Sequence, residues 1–357
     1  MTFIPRLTRR RALYVMGGAA GAITLHACTQ QASDTTEASP EAAETTAASP
    51  SGEPIDATNG STLWIGYSPL YVALEKGFFE QGGLNLSHNV LSTSGEGNAA
   101  FAAGRLDGLC NVTSETVAFA SKGQDFKIIQ VADSSLGGDG ILARNSIGSV
   151  EDFKGKEVAL EIGGVSHFFF LQVLKEAGLT AEDVTITNLS PDAAAAAYQS
   201  GRVEVAVTYS PFLKQAADAQ ADGRIIYDTS KMPTAIMDIY LFSTQMVEEN
   251  PEAMQAFVNG IYQAIDFLKE SPDEANAIAG KQLGLSAEEV ATELQGVNLT
   301  NPQDNVKLLG DLDSSDSIVQ HMLDLGAFLK DQEQITEAPT ADQIKELIDP
   351  TFVQAAV

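Results

Sequence analysis

Short apolar runs, punctuated by proline-marked helix starts, constrain this chain most. Leu106–Val112, Phe126–Ala132, Glu157–Ile162, Val184–Leu189, Val203–Tyr209 and Ile236–Phe242 each suit one buried strand and are too short for a packed helix. Around them stand Ser68-Pro69, Ser190-Pro191, Ser210-Pro211, Asn250-Pro251 and Ser271-Pro272. Serine or asparagine can cap the free N–H groups of a first helical turn, and proline there lacks only a donor the turn does not use. Leu63–Gly66 reads as a further strand, leading into a helix that closes near Gly77. Strands alternating with helices predict an α/β fold on a mostly parallel sheet, followed by a nearly all-helical region after Asn250.

A comparison within the chain sharpens this reading. Trp64–Pro69 aligns with Glu161–Ser166, and the same offset of 97 residues lays Gly104-Arg105-Leu106-Asp107 on Gly201-Arg202-Val203-Glu204. Identities are few, and generic strand–helix patterning is the rival explanation. The constant offset predicts two lobes of similar build, in keeping with 357 residues. Lobe I would combine residues 61–142 with 243–357 and lobe II would be 143–242, with crossings near Ala143-Arg144 and Leu241-Phe242. Ligands of open α/β sheets bind beyond the carboxyl ends of strands. The loops at Trp64–Ser68, Ser92–Glu96, Thr113–Glu115, Glu161–Ser166, Ser190 and Tyr209–Pro211 are therefore expected to line a shared cleft.

The first sixty residues read differently. Arg6, Arg9, Arg10 and Arg11 precede the uncharged, mostly apolar Ala12–Leu25, which is too short for a stable span. Leu25-His26-Ala27-Cys28 then resembles a bacterial lipobox, with His26 where a small residue is usual. This predicts a signal peptide over 1–27 and acylation of Cys28; the alternative is an ordinary secretory signal cleaved nearby. The export route, Sec or twin-arginine, is left open by Thr8-Arg9-Arg10-Arg11. Residues 28–60 are rich in Ala, Ser, Thr, Glu and Pro, with no Lys or Arg before Lys76, and read as a disordered tether. Its reach would be about 30 Å. No later apolar run is long enough to cross a membrane.

Charge narrows the partners. Lys+Arg 21 against Asp+Glu 48 gives a net charge of −27, and loss of the leader arginines would deepen it. Such a surface repels phosphate backbones, so nucleic acid is not an expected partner. His26, His88, His167 and His321 are scattered without metal-ligand spacing, and no Walker loop, dinucleotide fingerprint or Gly-x-Ser-x-Gly elbow occurs. Neither metal, cofactor nor enzymatic chemistry is expected. Cys110, inside an apolar stretch, reads as an inert buried thiol.

The predicted cleft loops offer acids and rings instead. Glu115, Asp139, Glu161 and Asp238 lie at or beside strand ends, and Trp64, Tyr67, His167, Tyr209 and Tyr240 would add flat walls. Singly, an acid is more often a cap or salt-bridge partner, and a ring is more often packing. As a set they suit a small cation, through charge-assisted hydrogen bonds and ring quadrupoles. The opposing signal is Gly163-Gly164-Val165-Ser166, whose helix start and Ser166 hydroxyl would hold an anion. Arg144 and Arg202 read as a hinge and a turn residue. The acids outnumber them, so the expected ligand is a nitrogenous cation such as guanidinium or a small amine. The alternatives are a sulfonate- or nitrate-type anion, a pyrimidine precursor, or an enzyme on the same fold.

Gly66-Tyr67-Ser68-Pro69-Leu70-Tyr71-Val72-Ala73-Leu74-Glu75-Lys76-Gly77-Phe78-Phe79 carries a family likeness, as do Ala103–Gly108, Val150–Lys156 and Asn250–Ala253. These motifs resemble nitrate/taurine-type (NMT1/THI5-like) substrate-binding proteins of bacterial ABC importers, over residues 62 to about 353. The resemblance implies a periplasmic-binding-protein fold of two α/β lobes closing on a small molecule. It implies a monomer at the outer face of the cytoplasmic membrane, anchored through Cys28 and partnered by a permease and its ATPase. Sulfonate binders of the family usually carry a Ser/Thr-rich turn where Glu161 and His167 flank this one. Its thiamine-pyrimidine synthases carry a cysteine cluster that this chain lacks. Menaquinone-pathway enzymes share a related fold but need no lipobox or tether.

Overall fold

The structure, a computed structural model, describes residues 53–357. The proposed leader, Cys28 and residues 28–52 of the proposed tether lie outside the described residues. The first strand is not Leu63–Gly66: β1 runs over Ile55–Ser61, all but its last residue inside the segment read as tether, and Ile65–Tyr67 is a single 3-10 turn. Polar Asn59, Gly60 and Ser61 hide it, because their burial depends on partners a local pattern does not show. Asn59 Nδ2 donates to Cys110 Sγ at 3.3 Å, and Ser61 Oγ lies 3.2 Å from His88 Nε2.

Helix α1 (Ser68–Lys76) follows and closes on Gly77, whose φ of 68° is the left-handed cap that glycine adopts without strain. The chain continues through α2 (Phe78–Gln81), β2 (Leu84–Val90), α3 (Ser94–Ala102), β3 (Gly108–Val112), α4 (Thr113–Ala120) and β4 (Lys127–Ser135). It then builds a second sheet: β5 (Asp139–Arg144), β6 (Glu157–Leu160), α5 (Val165–Glu176), β7 (Thr185–Asn188), α6 (Pro191–Gln199), β8 (Val205–Tyr209), α7 (Phe212–Ala219) and β9 (Gly223–Asp228). Strand β10 (Met237–Phe242) returns to the first sheet. After it come α8 (Thr244–Glu249), the long α9 (Pro251–Glu270), α10 (Pro272–Leu283), β11 (Val297–Leu299) and further helices.

The sheet orders are β11-β4-β10-β3-β1-β2 and β7-β6-β8-β5-β9. Both are mixed rather than mostly parallel. β10 runs antiparallel between β3 and β4, and β5 runs antiparallel between β8 and β9. Sheet membership puts the changes of sheet between Ser135 and Asp139 and between Asp228 and Met237, not at Ala143-Arg144 and Leu241-Phe242. We propose lobe boundaries at those earlier points. The 97-residue offset has structural content. Ser68 and Val165 open helices, as do Ser94 and Pro191, and Gly108–Val112 and Val205–Tyr209 are matching strands. Gly104 and Gly201 turn with φ of 66° and 80°. In the first lobe, Phe257 of α9 stacks on Phe79 at 5.1 Å and meets Tyr240 and Phe242 edge-on at 5.0 Å, which ties the helical region to β10.

Candidate functional site

A small cavity lies where strand ends of the two sheets face each other. The first lobe contributes Trp64 and Tyr67 after β1, Ser94 at the start of α3, and Glu115 in the first turn of α4. The second contributes Asp139, Val165 and Tyr209. Antiparallel pairing brings in two residues from strand beginnings. Asp238 sits opposite Val112 and Asp133 in the ladders of β10, and Asp139 sits opposite Tyr209. Trp64 meets Tyr209 edge to face, with ring centroids 5.9 Å apart at 88°.

Of the residues expected from sequence, Trp64, Tyr67, Glu115, Asp139, Tyr209 and Asp238 line this cavity. Glu161, Ser166 and His167 do not. Glu161 crosses to the other lobe and accepts the Gly95 N–H of α3 at 3.4 Å, so it answers a helix start. His167 Nδ1 accepts the Gly163 N–H at 3.3 Å, while its ring packs on Phe168, and burial lowers it to about 4, holding it neutral. Ser166 is buried with Oγ unpartnered among the described residues. The expected loop at Ser190 also stays outside, its hydroxyl bound to Asp192. Tyr240 is packed in the first lobe's core against Phe257.

Burial dominates the electrostatics. Glu115 is pushed up to about 8 by burial and then by the charge of Glu161; Ser94, the Val165 N–H and Asn98 pull the other way. Its Oε1 nevertheless has no hydrogen-bond partner among the described residues. Asp139 is raised to about 7 by burial, against the pull of Ser135, and its Oδ2 is likewise unpartnered. Burial and the nearby Asp133 charge raise Asp238, whose Oδ1 accepts the Tyr67 hydroxyl at 2.6 Å. These carboxyls hold protons near neutral pH and so can donate hydrogen bonds as well as accept them. Neither Lys nor Arg is among the described residues lining the cavity, and Arg144 is spent on the Tyr198 carbonyl at 3.1 Å.

The sequence reading missed several neighbours. Asn111 Nδ2 donates to Asn98 Oδ1 at 3.2 Å in the cavity wall, and Cys110 also lines it, its thiol pushed far up by burial. Asp133, fully buried behind the wall, was missed as well. In sequence it follows the apolar run Phe126–Ala132 and precedes Ser134-Ser135, so it looks like the end of a strand, unlike Asp238 inside its own. Among the described residues no group of three His, Cys, Asp or Glu side chains is placed to hold a metal.

Known proteins agree with this architecture. A Bacillus subtilis (strain 168) protein named for binding aliphatic sulfonates is 27% identical over 81% of this chain and 85% of its own. The taurine-binding periplasmic protein of Escherichia coli (strain K12) is 24% identical over 68% of this chain and 76% of its own. Among solved structures, the alkanesulfonate-binding protein SsuA from Xanthomonas axonopodis pv. citri, bound to MOPS, superposes with a TM-score of 0.68 at 18% identity. It covers 84% of this chain and 100% of its own. The desulfurization enzyme DSZB shares the fold too, with a TM-score of 0.60 at 16% identity over 84% of this chain and 98% of its own. The family model described as NMT1/THI5 like matches residues 64–275, more than half of the sequence, and the chain belongs to that family.

Proposed function

We propose that this chain is the solute-capturing component of an ABC-type importer, acting outside the cytoplasmic membrane, and that its solute is a small organosulfonate. The relatives named for aliphatic sulfonates and taurine favour this over the guanidinium or amine reading of the acid-rich loops. The observation that carries the proposal is the pair of unpartnered, buried oxygens Glu115 Oε1 and Asp139 Oδ2 at one cavity. Buried polar atoms without partners are costly, and a ligand that supplies the missing bonds recovers that cost. Their carboxyls, raised to about 8 and about 7, can meet sulfonate oxygens as O–H donors. Val165 at the start of α5 lies in the lining, so the positive end of a helix dipole faces the cavity.

Binding rather than covalent chemistry is also what Cys110 suits. A nucleophile needs its thiolate, and burial holds this thiol protonated. A thermal-shift screen tests the ligand class, with taurine, ethanesulfonate, nitrate, bicarbonate, guanidinium, small amines and a methylpyrimidine as probes. A true ligand at about 1,000 Kd adds roughly 4 kcal/mol and stands out. Stabilisation by a sulfonate is expected; a response to guanidinium alone would return the site to a cation. The proposed role also includes a lipid anchor at Cys28, a monomeric state, and partnership with a permease and its ATPase. Fatty-acid labelling should mark the wild-type chain and miss Cys28→Ala; equal labelling of both contradicts the anchor.

A further inference from the structure

We infer that Asp133 is a positioning residue, which fixes the Trp64 indole as the cavity wall that spans the two lobes. Asp133 lies on β4, fully buried, and its side chain is not part of the cavity lining. Trp64 Nε1 donates to both carboxylate oxygens, at 3.3 and 3.2 Å, so a single N–H is forked between two acceptors. That fork restrains rotation of the indole. With the nitrogen side pinned in the first lobe, the opposite edge reaches Gly138 at the crossing, and the ring meets Tyr209 of the second lobe at 5.9 Å.

Two glycines leave room for the arrangement. A Cβ on Gly66 would strike both Asp133 Oδ2 and Trp64 Nε1, so this turn admits only hydrogen at that position. A Cβ on Gly138 would strike the far edge of the indole. The wall is therefore held at one end by a hydrogen bond and at the other by close backbone approach. Asp133 has a buried acid for a neighbour in Asp238, opposite it in the ladder, and Asp139 adds repulsion from beyond the turn. An acid placed there at such cost, without touching the cavity, is explained by what it holds.

The ligand arm of the test rests on the sulfonate reading; the rest does not. Trp64 is the sole tryptophan of the chain, so tryptophan emission excited beyond the tyrosine band reports this ring alone. In the full ligand-free chain, Asp133→Ala should shift Trp64 emission to longer wavelength and raise its quenching by acrylamide. Gly66→Ala should do the same by displacing the pair while both residues are retained. Asp133→Asn keeps an acceptor for Nε1 and should restore wild-type emission and quenching. Taurine affinity, where wild type binds it, should fall at least about tenfold in the first two variants and stay within about threefold in the third. Far-UV circular dichroism checks the fold, and if Asp133→Ala does not fold, Gly66→Ala and Asp133→Asn decide. Wild-type emission and quenching in Gly66→Ala, or an Asp133→Asn variant as exposed as Asp133→Ala, would overturn the inference. A wild type that ignores taurine while its emission still depends on Asp133 would count against the ligand reading and leave the positioning role standing.

Discussion

Glu115 shows why residue counts misjudge this cavity. A tally of acids treats every carboxyl as charged, but burial and the Glu161 charge raise Glu115 to about 8. A neutral acid donates to an anion that its ionised form would repel. Taurine affinity should therefore weaken as pH rises from about 6.5 to 8.5 in wild type. Glu115→Gln, a permanent neutral donor, should bind within about threefold of wild type at the lower pH and show a shallower decline. Unchanged pH dependence in the variant would show that Glu115 is not the titrating group. Tyr67→Phe tests a different contact. It strips Asp238 of its 2.6 Å donor and should cost about 1–3 kcal/mol in urea unfolding. Asp238 was legible because an acid inside an apolar strand is expensive, whereas Asp133, followed by Ser134 and Ser135, looks like the end of one. Ser94, Asn98 and Asn111 were not legible as individuals. A polar residue at a helix start or in a strand looks alike in sequence whether it faces solvent or a cavity.

Several strands read well from sequence share one property, an apolar run buried on both faces. Glu157–Leu160 and Val205–Tyr209 are of this kind, as is Met237–Phe242, and each fell within a predicted strand. Edge strands were read unevenly: β7 fell within the predicted Val184–Leu189, whereas β2 and β9 were missed. β2 buries mainly Leu84 and Leu86, and β9 is half-buried along its whole length, so neither has the expected density of apolar residues. β5 was masked by the glycines before and inside it. β1 is the instructive failure: an interior strand, paired with β2 from Ile55 to Ser61 and with β3 at Asn59 and Gly60, in a segment whose composition resembles that of the residues before it. Its stability lies in ladders on both sides, which only distant strands supply. A chain begun at Glu53 should accordingly melt cooperatively. One begun at Leu63 should lose near-UV circular dichroism and cooperativity, because β2 and β3 lose their shared neighbour. Equal melting of the two would return Ile55–Ser61 to the tether.

At the scale of the whole molecule, the buried acids couple folding to protons. Glu115, raised to about 8, Asp139 and Glu293, raised to about 7, and the Asp133–Asp238 pair, raised by burial, bind protons more tightly in the fold than in the unfolded chain. Stability therefore falls as pH rises toward those values. His88, His167 and His321, lowered to about 4, act in the opposite sense, but only at and below about pH 6.5, where unfolded histidine charges. Between about pH 6.5 and 8 the carboxyls set the slope, each costing up to about 1.4 kcal/mol per pH unit while it stays protonated in the fold. The melting temperature of the ligand-free chain should drop across that window, and a flat or rising profile contradicts the assignment. The same protons decide the ligand's charge. An anion arriving beside Glu115 and Asp139 raises their affinity for protons, whereas a cation lowers it. Calorimetric titration with taurine at pH 7.5, repeated in buffers of different ionisation enthalpy, reads that exchange directly. Net proton uptake on binding is the predicted result; proton release on binding, or a response to guanidinium with none to taurine, would contradict it.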